Sequence, residues 1–412
     1  MPIDVPDCAA DFDEIPPDRW DEHPHTLADL LPWITRGFGG GRDVASGGGL
    51  PVLQGSDVVL LLIDGLGERQ LDAHRHIAPT LAGLQHSVLR SGFPSTTATS
   101  ITSLMSGAPA AVHGIIGYSF RPDIQMWIEG PSRVLNVLRW SLGTGVGHSA
   151  LEVYPPTSVA PAAGAALAAM AASGVRIFTV MPGDFRSTGF TQVAFGGVGR
   201  YLNARTPSEI RAGVVTALTR EVARSQWPRF VYAYLSDLDT AGHVHGPGSD
   251  QWIAALRVVD GLVADLLTEL PSDVTLIVTG DHGMLGVGEL IDLDGADDRA
   301  DGLAAGVDAV AGEARVRQVY AVAGAAADVV DSWRGLLATS ARVATREQVL
   351  DEKWYGSGSI APARIGDVVA VARGSTVLAR TASEVVESRM LGHHGGWTAD
   401  ELLVPLLFAR SQ

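Results

Sequence analysis

The stretch Asp57-Val-Val-Leu-Leu-Leu-Ile-Asp64 puts the narrowest limit on what this chain can fold into. Its apolar residues are contiguous, without the alternation of a half-exposed strand, and far too few to cross a bilayer. A run of this kind fits a strand covered on both faces, as in a parallel sheet beneath helices. Similar runs recur at residues 175–181, 229–235, 274–279, 316–322 and 367–372. Between them lie helical patterns, clearest at 249–270, where Ile253, Leu256, Val259, Val263, Leu266 and Leu270 fall on one face. Ser249 and Asp250 offer N-cap chemistry to that helix, and Pro271 ends it. Strands alternating with helices predict an α/β fold whose largely parallel central sheet is flanked by helices on both faces.

Composition decides which classes survive. Hydrophobic residues make up 46% of the 412 and charged ones 18%, enough apolar material for a large core, so disorder of the whole chain is excluded. The net charge of −16, with no run of lysine or arginine, argues against a nucleic-acid polymer as partner. A small anionic substrate stays compatible with it, because bound cations invert the local field. Cys8 is the single cysteine and cannot form an internal disulfide. The first twenty residues are acidic and carry four prolines, unlike a secretory signal. The alanine-rich stretch 159–172 has small residues and contains Pro161 and Gly164, which predicts a packed helix and not a membrane span. These features together predict a cytoplasmic protein.

Four stretches are expected along the chain. Residues 1–50 form an N-terminal extension that closes in a glycine-rich loop, and 51–299 form the catalytic core. Residues 300–385 form a smaller cap or insert, and 386–412 return to the core.

Five segments place metal-competent or nucleophilic side chains at strand ends or helix starts, the edge where open α/β sheets bind ligands. Asp64 follows the first apolar run directly and precedes Gly65 and Gly67; a turn-capping role is equally open to it. Thr96, Thr97 and Thr99 follow Pro94-Ser95 at the start of a helical pattern running to Gly107. A hydroxyl there meets free N–H groups and a dipole that favour a phosphoryl group, although such a threonine taken alone is more commonly a helix cap. Asp239 and His243, four residues apart after the 229–235 run, can share a metal from one helical turn. Asp237 and His245 beside them are expected at the surface. Asp281 and His282 follow the 274–279 run between glycines, and His393 and His394 sit in a second glycine-flanked turn near the C-terminus. Together these residues offer three ligands to each of two ions around a hydroxyl, with mixed nitrogen and oxygen donors suited to catalytic metal.

In this order the segments resemble the alkaline phosphatase superfamily and, within it, the type I phosphodiesterase / nucleotide pyrophosphatase family, over about residues 57 to 408. That family's nucleophilic threonine lies ten residues before a glycine that precedes a P-x-x-x-H-G-I stretch. Gly107, Pro109 and His113-Gly-Ile here select Thr97. The resemblance implies one zinc on Asp64, Thr97, Asp281 and His282, and a second on Asp239, His243 and His394, with manganese or another divalent ion as substitute. It implies a phosphodiesterase or nucleotide pyrophosphatase acting on a small diester through a threonine nucleophile. The family carries an asparagine against the phosphoryl group shortly after H-G-I. Gly117-Tyr118 stand there, so Tyr118 is the candidate phosphate contact unless the phosphate is held differently; Arg121 nearby is a candidate clamp for a monoester dianion, with a surface position equally open to it. His113 is expected to be structural. A phosphomonoesterase on the same scaffold is the alternative, and a catalytically dead binding relative the remote one. A sulfatase is disfavoured, for no C-x-P-x-R segment is present.

Overall fold

The computed structural model describes residues 12–38, 57–124, 133–143, 148–219 and 227–410. Cys8 and the glycine-rich loop from residue 39 onward lie outside the described residues. Six strands of a seven-stranded sheet come first in the chain: β1 (Asp57–Ile63), β2 (Gln85–Arg90), β3 (Arg176–Met181), β4 (Arg200–Asn203), β5 (Arg229–Leu235) and β6 (Val274–Thr279). A second sheet follows, from β7 (Val307–Glu313), β8 (Val316–Ala321), β9 (Ala341–Thr345) and β10 (Val368–Ala372). The last strand, β11 (Leu403–Arg410), returns to the first sheet, whose order is β2-β11-β6-β1-β5-β3-β4. Only β11 runs against its neighbours there, so the sheet is mainly parallel.

Alternate residues of β1 serve two cores. Val58, Leu60 and Leu62 pack on one face, with α1 (Leu27–Phe38) and α2 (Thr97–Ser106). Val59, Leu61 and Ile63 pack on the other, with α3 (Pro207–Thr219) and α5 (Asp250–Glu269). Each side chain is fully or nearly fully buried, which is why the run shows no polar alternation. Between β5 and α5 lies the short α4 (Asp237–His245). The Ser249 side chain accepts from the Trp252 amide to cap α5, and the helix ends before Pro271. Leu27, Leu30, Leu31 and Ile34 bury α1 against the core beside α2.

Two expectations need correction. The 316–322 and 367–372 runs are strands, β8 and β10, but they belong to the second sheet, whose order β7-β8-β10-β9 is antiparallel throughout. They read like core strands because β10 is buried on both sides. Val369 and Val371 face the main core, while Val368 and Ala370 face a third core built on α6 (Ala326–Leu337). An apolar run reports burial and not strand direction. The 159–172 stretch is not one helix but two short ones, Pro156–Val159 and Ala165–Ala172. They are separated where Gly164 takes φ +71° and packs its backbone on the Ala194 carbonyl. No helix among the described residues is long and apolar enough to cross a membrane.

Candidate metal centre

The strands β6, β1 and β5 are neighbours and parallel, so the chain leaves all three at one edge of the sheet. Asp64 follows β1, Asp239 lies in the first turn of α4 just beyond β5, and Asp281 and His282 follow β6. Two glycines let these turns touch. A Cβ at Gly280 would stand 2.2 Å from the Leu66 carbonyl oxygen, and one at Gly65, where φ is +73°, would stand 3.0 Å from the Asp239 Cα. Thr97 is the first residue of α2, whose cap is Thr96: its hydroxyl accepts from the Thr99 amide. His394 follows the short strand Gly392–His393, which pairs antiparallel with Leu285–Gly286.

These elements bring all seven expected residues together. His282 Nε2 lies 3.1 Å from Thr97 Oγ1, 3.3 Å from Asp64 Oδ1 and 3.6 Å from Asp281 Oδ2. Asp239 Oδ1 lies 3.3 Å from His243 Nε2 and 3.9 Å from His394 Nε2. Ligand atoms of Asp64, Asp281 and His282 fall within 4.8 Å of one another, and so do those of Asp239, His282 and His394. His282 thus stands between the two sets, its ring stacked on that of His394 at 3.5 Å.

Two features show that this donor set fits divalent cations. Asp64 Oδ1, Asp239 Oδ1 and Asp281 Oδ2 are buried without a hydrogen-bond partner, a costly arrangement unless something positive meets them. All three histidines have Nδ1 on a backbone carbonyl: His243 on Gly392 at 2.8 Å, His282 on Gly283 at 2.9 Å and His394 on Ser95 at 2.9 Å. Each Nδ1–H donates there, which fixes the ring orientation and aims Nε2 at the carboxylates.

The electrostatics agree. Burial, then the Asp64 charge, pushes Asp281 up to about 7 and holds Asp239 well above the usual carboxylate range. Despite its burial, His282 rises to about 10, because Asp281 and Asp64 face it. Burial opposes ionisation of Asp64 too, yet the His282 contact keeps it low. Among protein groups alone, protons are the positive charge these carboxylates gather, and a divalent cation can take their place.

A cavity of about 430 Å³ opens over the cluster, and Asp64, Thr97, Asp239, His243 and His394 line it. Four aromatic side chains, Phe185, Phe190, Tyr232 and Tyr234, line it too. Tyr118 lines the same cavity, its hydroxyl 3.5 Å from Glu387 Oε1. Arg121 does not: it pairs with Asp308 at 2.5 Å and lies 4.6 Å from the Tyr320 ring centre, in a separate cavity. Proximity to Tyr118 in sequence does not carry it into the site, because successive side chains of the Ser119–Phe120 strand face opposite ways. Asp237 and His245 are exposed. His113 is buried at a helix end, held by Ser103 Oγ at 2.9 Å and the Ile115 amide at 3.1 Å. His393 is buried against His243, ring centres 6.2 Å apart.

Tyr234, near the end of β5, escapes a sequence reading. Its hydroxyl donates to Asp64 Oδ2, leaving Oδ1 as that carboxylate's free donor atom. A tyrosine inside an apolar run carries no local signal beyond burial.

Residues 58–397 match the family model of type I phosphodiesterase / nucleotide pyrophosphatase. Venom phosphodiesterase from Naja atra is 25% identical over 244 residues, which cover 56% of this chain and 26% of the relative. Ectonucleotide pyrophosphatase/phosphodiesterase family member 1 from Mus musculus is 44% identical over 62 residues, 14% of this chain and 7% of that one. The chain therefore spans about a quarter or less of the length of these curated relatives. Among solved structures, an inactive threonine-to-alanine form of murine ectonucleotide pyrophosphatase / phosphodiesterase 5 in complex with AMP is similar, with TM-score 0.64 and 18% identity over 86% of this chain and 87% of that one. Phosphonoacetate hydrolase from Sinorhizobium meliloti 1021 is similar at TM-score 0.57 and 17% identity, over 87% and 90%. At such identities these neighbours speak to the fold alone, an α/β fold with a mainly parallel central sheet flanked by helices. The family match covers most of the chain, and the chain belongs to the type I phosphodiesterase / nucleotide pyrophosphatase family.

Proposed function

We propose that this protein is a two-zinc phosphodiesterase that cleaves a small diester with Thr97 as nucleophile. The observation that carries the reading is the convergence of three partnerless carboxylate oxygens and three oriented Nε2 atoms beside one hydroxyl. Asp64, Asp281 and His282 would hold one ion with Thr97, and Asp239, His243 and His394 the other. Mixed nitrogen and oxygen donors favour zinc, and manganese is the substitute. Bound there, the two ions lower the pKa of the threonine hydroxyl and offset charge on the phosphoryl and leaving oxygens.

The chain's own residues do the rest. The Thr96 cap and the first turn of α2 hold Oγ1 facing the cavity, with free helical N–H groups beside it. Oγ1, its proton released to solvent in the open cavity, attacks phosphorus in line; the P–O bond to one ester group breaks, that alkoxide leaves and takes a proton from water, and Thr97 carries the phosphorus with the other ester group still attached. Water then attacks the same phosphorus, the P–Oγ1 bond breaks, Oγ1 regains a proton and a phosphomonoester is released. The similar structure that is inactive as a threonine-to-alanine form was solved in complex with AMP, a nucleotide monoester such as diester cleavage releases, which is in keeping with a threonine-dependent reaction on a nucleotide-like diester.

The test compares kcat/KM for bis-p-nitrophenyl phosphate and p-nitrophenyl phosphate with zinc supplied. A strong diester preference is expected; a monoester preference moves the assignment to a phosphomonoesterase. Thr97→Ala should lower kcat by about a thousandfold or more while zinc still binds. Near-normal turnover by that variant would sink the nucleophile assignment.

A further inference from the structure

The second sheet sends one ionisable side chain from its leading hairpin into the cavity. Glu313 ends β7 where the chain turns back at Val316, and it lines the same cavity as Thr97 and Tyr118. The turn is anchored from below: Ser119 Oγ donates to the Gly312 carbonyl at 3.0 Å and accepts from its amide at 2.9 Å.

The carboxyl is wedged between two glycines. A Cβ at Gly117, φ +143°, would stand 3.3 Å from Glu313 Oε2. One at Gly395, φ +133°, would stand 2.8 Å from Glu313 Cγ and 3.0 Å from Oε1. Any side chain at either position would press on the acid. Oε2 accepts from the Tyr118 amide at 3.0 Å, whereas Oε1 is buried and has no partner. The other cavity glutamates are engaged: Glu384 with Arg317 at 2.8 Å and Arg380 at 3.2 Å, Glu387 with Arg139 at 3.4 Å.

We propose that Glu313 is a substrate-binding residue that, as a neutral carboxylic acid, donates an Oε1 hydrogen bond to a non-bridging phosphoryl oxygen of the diester. This rests on the phosphodiesterase reading above. The charge argument is direct: an ionised glutamate in that cavity would repel a phosphodiester anion, and an unpartnered buried carboxylate oxygen would go unsatisfied. With a proton on it, the same atom becomes the donor that the anion requires. Burial supports that state by pushing Glu313 up to about 8, with the Tyr118 amide pulling the other way. The charged groups facing it are Arg317 from β8, Glu384 from the segment after the Thr376–Ala379 strand and Glu401 from the short helix before the last strand. Arg315 packs on the same glycine turn and is paired with Glu401.

Binding, not turnover, separates this inference from its parent. Titrating bis-p-nitrophenyl phosphate into zinc-loaded Thr97→Ala protein by calorimetry reads affinity without the nucleophile. Adding Glu313→Ala should weaken binding about ten- to a hundredfold, whereas Glu313→Gln, which keeps an N–H donor, should recover most of that loss. Affinity should fall as pH rises through about 8, where the acid ionises, and the Gln form should lack that fall. A protonated-carboxyl stretch in the infrared difference spectrum of wild type against Glu313→Gln should be present at neutral pH. Glu313→Ala binding as tightly as its parent, or no such band, would overturn the inference. Wild-type protein that binds the diester through Glu313 yet turns nothing over would overturn the phosphodiesterase reading and leave the Glu313 contact standing.

Discussion

At the scale of single residues, the centre is organised by what the histidines do with the nitrogen facing away from it. Each Nδ1 is spent on a main-chain carbonyl, so rotating a ring breaks a hydrogen bond worth about 1 kcal/mol. The three Nε2 atoms are thereby aimed before any ion arrives, and less ordering is left to do on binding. The same residues predict a pH dependence. Asp281, pushed up to about 7, and Asp239, held higher than usual, must lose protons before they ligate, and His282 must give up the proton that Asp281 and Asp64 hold on it. Protons therefore compete with metal. Zinc affinity, measured with a competing chelator, should rise as pH increases through about 7 and weaken below it. An affinity flat from pH 5 to 8 would contradict the shared-proton picture.

At the scale of elements, caps and strand ends do most of the positioning. Thr96 caps α2 and so fixes the residue after it, Thr97, at the helix start. Ser249 performs the same office for α5 on the opposite face of the sheet, in contact with the Trp252 amide. Ser249→Ala should cost about 1 kcal/mol in urea denaturation and leave the diester kcat/KM unchanged, since α5 supplies no group to the cavity. A variant that lost activity without losing stability would tie α5 to the site by a route these contacts do not contain. The hairpin that ends in Glu313 shows a different use of an element, as a rigid arm reaching over a site built on another sheet.

At the scale of the whole molecule, the centre ties together segments from residue 64 to residue 394. Buried carboxylates gathered from several elements repel one another, so their neutralisation is coupled to folding. Stripping metal with a chelator should lower the melting temperature, and zinc should restore it in proportion to its concentration over the dissociation constant. Identical melting with and without chelator would mean that the cluster holds no ion in solution. The two sheets share one main core through Val369 and Val371 of β10, so both respond to the loss.

Much of this was legible in the sequence, for local reasons. A run such as 57–64 is apolar because both faces of β1 are covered, and its terminal aspartate has no place but the sheet edge. Asp281-His282 between glycines, and Asp239 and His243 one turn apart, carry their geometry within a few residues. The order of these segments was enough to suggest the family. What sequence alone could not decide was adjacency. Asp64, Asp239 and Asp281 meet because β6, β1 and β5 are neighbours, a choice made by packing two cores around one sheet. The same holds for β8 and β10, whose apolar runs state burial but leave the sheet and the direction open. Arg121 and Glu313 mark the limit most sharply: neither has a periodic or spacing signal, and a hairpin's reach carries one into the cavity while a strand's alternation turns the other away. Local chemistry set which residues could act, and long-range packing set which of them face one another.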